Sequence, residues 1–185
     1  MKLWKKKTFR NIGLIIFITV LNINASNLWV SGGLYDFAND VSKEFYKYGW
    51  SFRVQYDFLQ LSQMNFSIST GGSFSSVPYN GEEHEMYLIP LQFSWRYNFL
   101  MEHPTIQPFF GSGIGAFAKM DLNEFFPKRH HAYTYGYHLF SGLEYKISDR
   151  VKSKFEMRYN VLIPPTLEDI NSSGFDILIG VGYSF

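Results

Sequence analysis

Counted in twos, residues 48–58 separate into two unlike sets: Tyr48, Trp50, Phe52, Val54, Tyr56 and Phe58 against Ser51, Arg53, Gln55 and Asp57. Period-two alternation places successive side chains on opposite faces of an extended strand. The rhythm returns along most of the chain, so the fold must be a sheet with one apolar and one polar face.

The same reading applies to five further segments. Residues 64–74 set Met64, Phe66, Ile68 and Phe74 against Asn65, Ser67, Ser69 and Ser73, and residues 87–99 set Tyr87, Ile89, Leu91, Phe93, Trp95, Tyr97 and Phe99 against Leu88, Pro90, Gln92, Ser94, Arg96 and Asn98. Residues 133–147 place Tyr133, Tyr135, Tyr137, Leu139, Leu143, Tyr145 and Ile147 opposite Thr134, His138, Glu144 and Lys146. Residues 151–163 place Phe155, Met157, Tyr159 and Val161 opposite Lys152, Lys154, Glu156, Arg158 and Asn160. The last segment, GFDILIGVGYSF, sets Phe175, Ile177, Ile179, Val181, Tyr183 and Phe185 against Asp176, Leu178, Gly180, Gly182 and Ser184. In NLWVSGGLYDF and TIQPFFGSGIGAFAKM apolar residues fill both registers, and alternation leaves their facing open.

Eight strands result, joined by gaps that alternate in length: long at 38–47, 75–86, 121–132 and 164–173, short at 59–63, 100–104 and 148–150. The first 25 residues stand apart. Lys2, Lys5, Lys6, Lys7 and Arg10 precede an apolar run at 12–21 and the small residue Ala25. That run is too short to span a bilayer as a helix, and the pattern predicts a cleaved secretory leader over 1–25, followed by one domain over 26–185. All 16 acidic residues lie beyond Ala25 while five of the 17 basic ones lie before it, so the mature chain carries 12 basic residues and a charge of −4. No basic stripe remains for nucleic acid. The absence of cysteine excludes disulfides and thiolate metal sites.

Two features separate a membrane barrel from a soluble one. The polar face is built mainly of Ser, Gly, Asn and Gln, which suits a crowded interior. The apolar face is graded, with aromatic rings towards the strand ends and aliphatic residues between them, as aromatic girdles at two headgroup levels require. The prediction is an all-β, eight-stranded antiparallel up-and-down transmembrane barrel. Its termini and short turns are periplasmic and its longer loops external, and closure pairs every backbone amide in lipid.

In pattern, the mature chain resembles the small outer-membrane β-barrel proteins of Gram-negative bacteria, of the OmpX, OmpW and OmpA-transmembrane type. GVGYSF is similar to the C-terminal signal read by the barrel-assembly machinery, with Gly180, Tyr183 and Phe185 at matching positions and Leu178 where a polar residue is usual. PTIQPFFGSGIGAF resembles the family's fifth strand, and SGLEYKISDRV its sixth-to-seventh hairpin. The resemblance implies the cell outer membrane as location, with outer-membrane lipid, lipopolysaccharide and the assembly machinery as partners, and a monomer.

The polar face carries Arg53, Asp57, Arg96, Glu144, Lys146, Lys152, Lys154, Glu156, Arg158 and Asp176. If Ile147 pairs with Val151, Lys146 faces Lys152, Glu144 faces Lys154 and Gly142 faces Glu156. An eight-stranded barrel encloses little more than its own side chains, so these charges are expected as a mutually paired plug rather than an ion path. Inward-facing Leu88, Phe140 and Leu178 would make the upper lumen partly apolar, the sign of a small-solute conduit of the OmpW kind. His84, beside Glu82, Glu83 and Glu85, and His130 with His131 fall in expected external loops; their spacing matches no metal signature.

The opening strands are somewhat similar to lipid A deacylases, which implies a Ser-His-Glu constellation with His and Ser near the top of the seventh strand. Here that stretch reads EMRYNVLIPP, with neither. His138 with Glu156 is the one interior His-acid pair the pattern offers, and it lacks a nucleophile. The expectation is a non-enzymatic surface or structural protein with no cofactor.

Overall fold

The computed structural model describes residues 27–79, 82–99, 105–122, 130–164 and 170–185; the expected leader lies outside them. Eight antiparallel strands close on themselves in sequence order. They are β1 (Asn27–Phe37), β2 (Tyr48–Leu61), β3 (Met64–Tyr79), β4 (Glu82–Asn98), β5 (Ile106–Leu122), β6 (His130–Lys146), β7 (Val151–Leu162) and β8 (Gly174–Ser184), with one short helix, α1 (Asp40–Tyr46), between β1 and β2. Closure is made by β1 on β8, from Asn27 opposite Ser184 to Phe37 opposite Gly174.

The outward face is apolar. Ile89, Leu91, Ile114, Leu139 and Ile179 are exposed around its middle. Trp50 (70% exposed), Tyr48, Tyr133 (81%) and Tyr135 stand towards the loop end, and Tyr145, Tyr183 and Phe185 (79%) towards the turn end. Large apolar residues left outside in such numbers need lipid, not water, as solvent. Among the described residues no helix is long and apolar enough to cross a membrane; the strands make the apolar wall.

The two undecided strands resolve by what the lumen can hold. In β1 the inward set is Asn27, Trp29, Ser31, Tyr35 and Phe37, and in β5 it includes Phe109, Phe117, Lys119 and Asp121. Aromatic rings fit inside because glycine faces them: a Cβ on Gly182 would lie 2.5 Å from the Trp29 ring, and one on Gly142 2.6 Å from Phe109.

Strand extends into two of the expected loops, 75–86 and 121–132. β3 runs to Tyr79 and β4 starts at Glu82, while β5 runs to Leu122 and β6 starts at His130. Beyond the lipid the ladder continues but the outward face no longer has to be apolar, so the alternation fades while the pairing persists. The gap at 38–47 holds α1, started by Asn39, whose side chain accepts from the amides of Val41 (3.0 Å) and Ser42 (3.4 Å).

Candidate functional site

Polar side chains converge in the lumen. Its lower half, nearer the short turns, is built around Arg96. This guanidinium pairs with Glu144 and, at 3.2 Å, with Asp57, and lies between the rings of Trp29 (5.9 Å) and Phe109 (5.3 Å). Asp57 also accepts from Trp29 Nε1 at 3.0 Å and from Gln55 Nε2 at 2.8 Å. Gln55 Oε1 accepts in turn from Lys154 Nζ at 3.1 Å, which carries the network upward.

Glu156 is the hub of the next layer. Lys154 lies 3.0 Å away, Arg158 2.9 Å and Arg53 3.2 Å. Arg53 reaches Asp176 at 2.7 Å, and Asp176 also accepts from Asn160 (3.0 Å) and Ser51 (2.6 Å). Arg158 donates to Gln92 at 2.7 Å and lies 4.5 Å over the Phe140 ring. Arg53, Arg96, Lys154 and Arg158 thus meet Asp57, Glu144, Glu156 and Asp176, four cations with four anions, all buried. Isolated charges would be costly there; the balance and the hydrogen bonds compensate that cost.

The sixth and seventh strands meet with Lys146 opposite Lys152, Glu144 opposite Lys154 and Gly142 opposite Glu156. Lys146 does not join the interior network. It ends β6 at the short-turn rim, where its side chain is 45% exposed and pairs with Asp149 at 2.8 Å. The hydrogen bond and charge of Lys146 hold that exposed carboxyl below the ordinary carboxylate range. Lys152 is half-buried, 3.9 Å from Glu144.

Above the charges lies an apolar cluster of Tyr35, Phe37, Phe45, Tyr46, Met86, Leu88, Phe117 and Leu162. Helix α1 supplies two of these rings, because its apolar side faces into the mouth. Tyr46 donates to Asp121 at 3.1 Å, and Asp121 pairs with Lys119 at 2.7 Å. Lys119 donates to the Ile170 carbonyl at 2.7 Å, Ser42 to the Asn171 carbonyl, and the Ala38 amide to the Ser173 carbonyl at 2.9 Å. Residues 170–173 and α1 are therefore stitched together across the opening.

His84 corrects the sequence reading. It is an inward-facing residue of β4, fully buried and stacked on Phe45 at 5.3 Å, not an external-loop side chain. Counting back in twos from Leu88 reaches it. His131 faces outward, and the side chains of Glu82, Glu83 and His130 lie outside those described. Among the described residues no three acidic or histidine side chains are grouped to hold a metal.

His138 does meet a serine, contrary to the sequence reading: Ser94 Oγ lies 2.8 Å from its Nε2. Among the described residues its Nδ1 has no partner, and both side chains are buried. The contact is a buried hydroxyl–imidazole hydrogen bond, and it lacks the third group that orients the base where such a pair is catalytic.

Other side chains were not singled out from sequence. Trp29, Lys119 and Asp121 depend on the facing of β1 and β5, which alternation leaves undecided. Gln92 and Asn160, which share a 2.9 Å hydrogen bond, were legible as lumen-facing but not as partners. In the last strand Gly180 faces inward opposite Ser31, while Tyr183 faces outward and packs edge-on against Phe185 at 5.3 Å.

Solved structures share this architecture. Neisserial surface protein A is 14% identical, with a TM-score of 0.70 over 86% of this chain and 97% of that one. OprG from Pseudomonas aeruginosa is 12% identical, with a TM-score of 0.62 over 87% and 96%. Ail, the attachment invasion locus protein of Yersinia pestis, was crystallised with the heparin analogue sucrose octasulfate; it is 10% identical, with a TM-score of 0.53 over 88% and 100%. At these identities the likeness is one of fold. A search of curated protein sequences gives no match. A profile of the outer membrane protein beta-barrel domain matches residues 16–185, the whole strand-forming pattern and all of the barrel, and the chain belongs to that family of outer-membrane β-barrel proteins.

Proposed function

We propose that the protein is a monomeric barrel with a closed lumen, serving a structural or surface-interaction role through its external connections. The observation that carries this reading is the charge network of Arg53, Asp57, Arg96, Glu144, Lys154, Glu156, Arg158 and Asp176, joined end to end inside the wall. An ion path needs side chains that water can separate; here each charge is already paired, and an apolar cluster with α1 lies above. The names of two fold relatives, a surface protein and an attachment protein, agree with a surface role.

Transport of a small solute is the second reading, favoured by the apolar upper lumen with Leu88, Phe140 and Leu178 inside. Planar-bilayer recording separates the two. Closed barrels give no discrete conductance, and steady unitary steps from the wild-type protein would establish the conduit instead. Hydrolysis is disfavoured by the burial of Ser94 and His138. Unchanged lipid A acylation in cells with and without the gene is the expected result.

A further inference from the structure

The turn between β6 and β7 brings three cations, Lys146, Arg150 and Lys152, to one rim of the barrel. Two of them have acidic neighbours: Lys146 pairs with Asp149 at 2.8 Å, and Lys152 turns towards Glu144 at 3.9 Å. Arg150 has none within 4 Å among the described residues. Its guanidinium instead donates to the Tyr183 hydroxyl at 3.3 Å.

That contact places the charge. Tyr183 lies on the outward, lipid-facing side of β8, opposite Val151, and packs edge-on against Phe185. Tyr145 and Ile147 are outward and exposed on the neighbouring strand and turn. The guanidinium thus stands where the aromatic girdle meets water, outside the wall rather than in the lumen. The β2–β3 turn at the same end, Ser62 and Gln63, carries no charge.

We infer that Arg150 and Tyr183 form a binding site for the phosphate of an anionic phospholipid in the periplasmic leaflet of the outer membrane. Arginine presents five N–H donors in a planar fork. One is engaged by Tyr183, which orients the fork, and the others are available for bidentate contact with phosphate oxygens. The acyl chains would lie along Tyr145, Ile147 and Val181, all outward on this side.

Native mass spectrometry of the full-length barrel, released from nanodiscs of equal parts phosphatidylglycerol and phosphatidylcholine, tests the site. Retained phosphatidylglycerol is expected to exceed phosphatidylcholine by about fivefold, the factor one basic residue near an anionic surface supplies. Arg150→Gln is expected to bring the ratio to about one, while Lys43→Gln, on α1 at the opposite end, leaves it unchanged. Equal retention by the wild type, or an undiminished preference in Arg150→Gln, overturns the inference. Heat-dependent gel migration checks that each variant is folded. Failure here would leave the closed-lumen reading standing, since conductance does not depend on Arg150.

Discussion

Glu156 faces three cations, Arg53, Lys154 and Arg158, all within 3.2 Å. Glu156→Gln keeps the shape but leaves three buried positive charges sharing less negative charge. Breaking one partner of a buried ion pair costs about 3–5 kcal/mol. The urea midpoint of the folded form in detergent is expected to fall accordingly, with the folded band on an unheated gel weakened. Glu156 was legible as a lumen residue because its neighbours Phe155 and Met157 are apolar. Its pairing with Arg53 was not legible, since that contact spans 103 residues and depends on how β2 and β7 stagger across the barrel.

At the scale of elements, α1 and β8 show opposite degrees of legibility. The helix has only seven residues, too few for an apolar period to declare itself, and much of its holding energy comes from the mouth. Tyr46→Phe removes the hydrogen bond to Asp121, worth about 1.5–3 kcal/mol for a charged acceptor. Trypsin cleavage at Lys43 and Lys47 in intact cells is expected to rise several-fold over wild type. The last strand, by contrast, is plain in sequence. Phe185→Ser is expected to lower the folded, membrane-inserted fraction through loss of the assembly signal, read as the heat-shiftable band in outer-membrane preparations. Gly180 and Gly182 also have a packing role, because a Cβ at either would meet Ser31 or Trp29.

For the whole molecule, membership of the outer-membrane barrel family sets the environment: strands in lipid and assembly into the outer membrane. The leader expected over 1–25 makes a mass prediction. Protein extracted from outer membranes should begin at Ser26, and intact-mass measurement showing residues 1–25 still attached would refute cleavage. The barrel is also taller on one side, since β3, β4, β5 and β6 have 16 or 17 residues against 11 for β1 and β8. That asymmetry was not visible as alternation, because strands above the lipid are under no pressure to keep one face apolar.

Period-two alternation by itself determined the all-β class and divided six strands into an apolar and a polar face, because side-chain direction along a strand is a local property of extended backbone. Graded aromatics added the membrane, because each depth in a bilayer favours its own side chains. Only the tertiary structure decided that β1 and β5 turn Trp29 and Phe109 inward, that α1 enters the mouth, and that Arg53 meets Asp176 from 123 residues away. Those outcomes depend on the space left by glycines on facing strands and on stagger accumulated around a closed sheet, quantities carried by the closed barrel rather than by any one segment.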